Sequence, residues 1–369
     1  MTNNQETFLT LVRAGLWEKE ALLIPFKDIN FSELLSLAED QSVVGLVAAG
    51  LENVTDVKVP KEVLLQFIGE SLQLEQKNKA MNDFIGKLIN EMRHAGIDAL
   101  LVKGQGIAQC YERPLWRASG DIDLLLDAQN YEKAKLFLKA LASKVEPEGR
   151  YLKHSAYAIG GWIVELHGNM KTRHSWRMDR VIDEVQRETF QSRLFRTVEI
   201  GRAEIQLPAP NSDVIIVFTH YLKHLFGGGI GLRQLCDWCR LLRTYQYEID
   251  HRHLELRLKK MGIVSEWKAF AAYAVEHLGM PTEAMPLYFG DEKWKRKAKR
   301  ISDIVLRSGT FGHADHSYIK QSPFVIRKMK SFWKGTKEHF RLITVFPKDA
   351  LKFYLFFIVN RSNDAMRGE

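Results

Sequence analysis

Asp121 and Asp123 flank one isoleucine in Gly120-Asp121-Ile122-Asp123-Leu124-Leu125-Leu126. In an extended strand this spacing sends both carboxylates to one face, while Ile122, Leu124 and Leu126 take the other and can enter a core. Two carboxylates this close repel each other and lose hydration if buried, so the pair either faces solvent or holds a divalent cation such as magnesium or manganese. An Asp-x-Asp at a strand start can also serve only as a turn former and helix cap. A third acid stands in Trp162-Ile163-Val164-Glu165-Leu166-His167-Gly168, where alternation puts Glu165 and His167 on one face and Val164 and Leu166 on the other. Three such acids can hold two cations about 4 Å apart, which activate an attacking oxygen and stabilise a leaving phosphate. Glu165 can equally be an ordinary exposed strand residue.

Upstream, the apolar run from Ile97 to Val102 ends at Lys103-Gly104, and helical character follows from Gly106 to Tyr111. A strand, turn and helix start of this kind offers backbone N–H groups to phosphate oxygens, with the helix dipole adding attraction. Lys103 adds a positive charge there, and Arg117 and Ser119, just before the acids, are further candidates to bind the nucleotide. The turn is not the Gly-x4-Gly-Lys-Ser/Thr phosphate loop, and the spacing of Gly104 and Gly106 alone carries little weight.

A small sheet has to position these groups. Residues 1–90 read as helices over 6–16, 31–39 and 62–90, with apolar residues three or four apart and Pro25 and Pro60 as breaks. From about 91 to 208 strands and helices alternate. A helix over 130–143 follows the aspartates, and a hairpin of 196–199 and 204–207 turns around Gly201. Helical periodicity returns from Asn211, with Asn211 or Ser212 as N-cap and Gly227-Gly228-Gly229 separating two helices. The expected fold is α+β, with a small mixed sheet between N-terminal helices and a C-terminal helical domain. The expected divisions are 1–90, 91–208 and 209–369.

Lys103-Gly104, Arg117, Gly120-Asp121-Ile122-Asp123-Leu124-Leu125 and Val164-Glu165-Leu166-His167 together resemble the polymerase-beta-type nucleotidyltransferase superfamily, and within it a bacterial family of uncharacterised nucleotidyltransferase-like proteins. The resemblance continues into Asn211-Ser212-Asp213, His220, His224 and Gly231 to Trp238, covering roughly residues 90 to 250. It implies that 91–208 is a nucleotidyltransferase core. It also implies that Asp121, Asp123 and Glu165 ligate Mg2+ or Mn2+, and that Lys103, Gly104 and Ser119 hold a nucleoside triphosphate donor. The implied reaction moves a nucleoside monophosphate to a hydroxyl and releases pyrophosphate. The superfamily usually has Gly-Ser or Gly-Gly at the phosphate turn, where this chain has Gly104-Gln105, and its third acid is often aspartate where this chain has Glu165.

Further along, His220 and His224 share a helix face, and Cys236 and Cys239 lie three apart on the next helix. The four invite a zinc reading, against which small buried cysteines are the simpler use. The resemblance instead points to His220, His224, Arg233 and Asp237. Arg233 and Asp237 are spaced for an intrahelical ion pair. If they line the cleft instead, Arg233 neutralises phosphate while His167, His220 and His224 form the acceptor side. The basic runs 293–300 and 327–334 mix cations with aromatics, as polyanion-binding segments and solvated helix faces both do. The apolar segment 351–359 is too short to span a bilayer.

The chain has 369 residues, 46% hydrophobic and 27% charged, which suits a globular protein of two or three compact units. Three cysteines, no apolar run near the length of a membrane span and no leader-like N-terminus give the expectation of a cytoplasmic protein without a transmembrane segment. A net charge of +8 suits nucleotides, nucleic acid or anionic glycans alike. The expected activity is metal-dependent nucleotidyl transfer, with a small-molecule or glycan-related acceptor preferred over RNA or protein. The alternatives are a non-catalytic nucleotide-binding regulatory module and a glycosyltransferase of the Asp-x-Asp type. The latter requires a longer alternating region ahead of the motif.

Overall fold

In a computed structural model the described residues are 1–146, 148, 153–227, 229–308, 342–347 and 350–351. The basic run 327–334 and nearly all of the apolar segment 351–359 lie outside them.

Four helices precede the sheet: α1 (Asn3–Trp17), α2 (Phe31–Asp40), α3 (Val44–Glu52) and α4 (Lys61–His94). Local chemistry sets their starts. Thr2 and Gln5 close a reciprocal capping box on α1, the Asn30 side chain accepts from the Glu33 N–H at the head of α2, and Pro60 stands immediately before α4. The sequence reading missed α3, because Val44-Gly45-Leu46-Val47-Ala48-Ala49 is apolar on every side and shows no helical period. These helices occupy the place where an Asp-x-Asp glycosyltransferase needs strands.

The strands are β1 (Leu100–Val102), β2 (Ile122–Leu125), β3 (Lys144–Glu146), β4 (His154–Ile159) and β5 (Trp162–His167), in the order β1-β2-β5-β4-β3. The pair β2–β5 is parallel and the other pairs are antiparallel, so the sheet is mixed. Between β1 and β2 lies the short helix α5 (Gly104–Ala108), and after β2 comes α6 (Ala128–Leu141). The side chain of Asp127 caps α6 by accepting from the N–H groups of Gln129 and Asn130, so neither acid of the Asp-x-Asp caps that helix. The expected hairpin forms as β6 (Phe195–Ile200) and β7 (Ala203–Pro208).

Strand alternation sorts the apolar side chains of the sheet between two cores. Leu101, Ile122, Leu124, Leu126, Val164 and Leu166 pack with α4, α6 and the hairpin. Leu100, Val102 and Leu125, on the other face, join a larger core that also holds α1–α3, α7 (Trp176–Ser192) and the C-terminal helices. Those include α8 (Pro210–Gly227), α9 (Leu232–Thr244), α10 (His251–Met261), α11 (Val264–Leu278) and α12 (Glu292–Ser308). Asp123 shares the parity of Leu125, so the sheet turns it toward α8 and α9. The fold is α+β, with helices on both sides of the sheet in sequence.

The start of α8 differs from expectation. Proline occupies its first position, and the Ser212 and Asp213 N–H groups bond to the Ala209 carbonyl. Asn211 is used elsewhere. Its side chain accepts from the Asp250 N–H at 2.8 Å and donates to the Glu248 carbonyl at 3.1 Å, tying α8 to the start of α10.

Candidate active site

Register brings the acids together. Asp123 and Glu165 are direct partners across the parallel β2–β5 ladder, and Asp121 immediately precedes β2. One carboxylate oxygen from each of Asp121, Asp123 and Glu165 falls within 4.8 Å of the others. Convergent hard oxygen donors with one open side suit Mg2+ or Mn2+, so these residues fit the ion that the sequence resemblance implies.

Lys103 and His167 brace the buried Asp123 from two directions. Lys103 Nζ lies 2.5 Å and His167 Nε2 lies 2.7 Å from the same oxygen, Oδ1. Burial raises the Asp123 proton affinity, but the Lys103 charge and the His167 hydrogen bond outweigh it and hold the group below the usual carboxylate range. Glu165 is likewise lowered against its burial by hydrogen bonds to His154 and His167. Asp121, though exposed, shifts the other way, raised by the desolvation its cleft neighbours impose and by the Asp123 charge. Lys103 achieves its position at φ 57°, ψ −144°, a backbone region rare for a residue with a Cβ.

The wall opposite the acids comes from α8 and α9. His220, Lys223, His224 and Arg233 line a cleft of about 300 Å3 together with Lys103 and the three acids. Nε2 of His220 and Nε2 of His224 are 2.9 Å apart, so one ring donates to the other. Burial and the Lys103 charge depress both, His220 well below the usual range and His224 to about 4, so the pair is neutral near pH 7. Lys223 is lowered by burial and by Lys103.

Three of the expected nucleotide-binding residues have other partners as well. Arg117 is buried and gripped by Asp237, with Nε donating to Oδ1 at 2.8 Å and NH2 to Oδ2 at 2.7 Å. Tyr111 donates to the same Oδ1 at 2.8 Å. Asp237 therefore pairs with Arg117 rather than with Arg233 in its own helix. Arg233 donates to the Ala118 carbonyl at 2.8 Å while lining the cleft. Ser119 Oγ donates to Asn78 Oδ1 on α4. Gly104 lies in the cleft wall, where a Cβ would meet the Asp121 carbonyl at 3.5 Å.

Gln105 turns away from the cleft. Its Nε2 donates to Asn78 Oδ1 at 2.9 Å, and the residue is 2% exposed. Asn78 Nδ2 donates in turn to the Leu115 and Arg117 carbonyls at 2.7 and 2.8 Å. One buried asparagine thus anchors both the turn after β1 and the loop before β2.

Cys236 and Cys239 are fully buried, their thiols pushed up by burial, and they join no cluster of metal-ligating groups among the described residues. The zinc reading is corrected accordingly: α9 packs these small side chains into the core. The basic run 293–300 lies on α12, where Lys295 pairs with Glu292 and Glu276 at 3.1 and 3.8 Å. Among the described residues no helix is long and apolar enough to cross a membrane.

Sequence reasoning missed His154, Lys223 and Asn78. His154 had a signal. A hairpin turning on Gly160-Gly161, both at positive φ, pairs Ile159 with Trp162 and therefore His154 with His167. Lys223 and Asn78 carried no pattern distinguishing them from other helix residues.

Residues 27–279 match the model of a family described as uncharacterised nucleotidyltransferase. No curated protein and no solved structure matches the chain.

Proposed function

Because the chain belongs to the uncharacterised nucleotidyltransferase family, we propose that it moves a nucleoside monophosphate from a nucleoside triphosphate to an acceptor hydroxyl, releasing pyrophosphate. The observation that carries this reading is the meeting of Asp121, Asp123 and Glu165 within 4.8 Å of one another, facing a wall of basic side chains. Those three acids would hold the divalent cation, Mg2+ or Mn2+, which when bound activates the acceptor oxygen and offsets charge on the phosphates.

The side chains of the chain itself do the positioning. Lys103, Lys223 and Arg233 set positive charge around the cleft and draw in the triphosphate. The bare backbone of Gly104 lets the donor approach the turn closely. Arg117 acts through structure: held by Asp237, it fixes the loop that delivers Asp121. His220 and His224, neutral and hydrogen-bonded to each other, suit orientation of the acceptor better than removal of its proton, since their low proton affinity makes them weak bases. A cleft of about 300 Å3 accommodates the reacting ends of a donor and a compact acceptor, in keeping with a small-molecule or glycan-related hydroxyl.

Pyrophosphate release from each of four nucleoside triphosphates, with Mg2+ or Mn2+ and candidate hydroxyl acceptors, tests the proposal. Metal-dependent triphosphate binding without release would favour a non-catalytic binding module.

A further inference from the structure

We propose that His154, His167 and Glu165 form a cation site of their own, which takes a transition-metal ion of the Co2+ or Zn2+ class in preference to Mg2+. It depends on the proposed nucleotidyl transfer only for the identity of the cleft, since the site shares Glu165 with the carboxylate group.

Register sets the three donors side by side. His154 and His167 are direct partners across the antiparallel β4–β5 ladder, and Glu165 stands two residues before His167 on the same face. The ring centroids of the histidines are 4.8 Å apart. Their Nε2 atoms lie 3.0 Å (His154) and 3.5 Å (His167) from one oxygen, Glu165 Oε2. Ligands about 2.1 Å from a single tetrahedral ion stand about 3.4 Å apart, so the His167 contact already has that span and His154 has only to lengthen its hydrogen bond by a few tenths of an ångström to admit the ion. The tight β-turn at Gly160-Gly161 fixes the pairing, so the donors are arranged before any ion arrives.

Donor chemistry then selects the ion. Two imidazole nitrogens and one carboxylate suit cobalt, zinc and their neighbours, whereas Mg2+ favours oxygen ligands and retains its water. Asp121 and Asp123 offer that all-oxygen alternative alongside. The two groups meet at Glu165, and His167 exchanges its hydrogen bond to Asp123 for coordination when the nitrogen site fills. An entry path exists, because the His154 side chain is 37% exposed and lines the cleft.

The test uses the full chain stripped of metal by a chelator. Co2+ is titrated by its visible absorption. His154→Ala should weaken Co2+ binding by at least about tenfold, the scale on which even outer-sphere partners of metal ligands act. Mg2+ should displace Co2+ only at far higher concentration. His154→Gln, with thermal unfolding recorded for both variants, separates lost ligation from lost fold. Equal Co2+ binding by wild type and His154→Ala would overturn the proposal, as would binding lost in Asp121→Asn but retained in His154→Ala. Histidine-dependent Co2+ binding without pyrophosphate release would leave this inference standing and remove the transferase reading. Release with unchanged Co2+ binding in His154→Ala would do the reverse.

Discussion

Asp237, on α9, holds the Arg117 guanidinium through both carboxylate oxygens, and so ties the C-terminal helices to the loop that carries the first acid of the cleft. Both side chains are 6% exposed. Removing one member of a buried pair leaves the other charge uncompensated, at a cost of about 3–5 kcal/mol. Asp237→Ala should therefore lower unfolding stability by about that much in urea titration, and Asp237→Asn, which keeps one acceptor, by less.

Asn78 is fully buried on α4 and holds Gln105, Ser119 and two loop carbonyls at once. Asn78→Ala strands several of these groups, each costing about 1–3 kcal/mol. The variant should lose at least about 2 kcal/mol of stability and bind triphosphate more weakly, because the turn after β1 and the loop before β2 lose their common anchor. Unfolding and nucleotide titrations on the same preparation check both effects.

Lys103 offsets charge where three carboxylates meet. In metal-free protein Lys103→Met should reduce stability by up to about 3 kcal/mol. Added Mg2+ or Mn2+ should then raise Tm more in the variant than in wild type, since the cation replaces the missing positive charge. Differential scanning calorimetry with and without metal measures the difference.

Acid should loosen the α8 wall. His224 has a folded pKa of about 4 against an ordinary value of 6.5, so between those limits the unfolded chain binds more protons than the folded one. Its contribution to stability is complete above pH 6.5 and is lost as pH falls toward 4. His224→Gln should flatten the decline of Tm across that window, which thermal scans of both proteins will show.

The sequence made the acids legible because period-two alternation is a local property: strand parity alone sets Asp123 and Glu165 opposite the apolar faces of their strands, whereas their meeting depends on the β2–β5 register. The neighbours of Arg117 were not legible. Asp237 lies 120 residues away, and nothing local marks it as the partner of Arg117 rather than of Arg233 on its own helix. Gln105 was readable as a departure from the family pattern, whereas its bond to Asn78 depends on how α4 packs against the turn. Apolar α3 escaped because a helix whose residues are apolar nearly all round has no polar face for a period to reveal.

The central claim, metal-dependent nucleotidyl transfer at Asp121, Asp123 and Glu165, is tested most directly by label transfer. The full chain is incubated with Mg2+ or Mn2+, each of four triphosphates labelled at the α-phosphate, and an extract of its own host, alongside Asp121→Asn/Asp123→Asn. The account predicts that label moves onto an acceptor only with the intact protein and only with metal. Equal transfer by the double variant would contradict it, as would metal-dependent triphosphate binding with no transfer from any base.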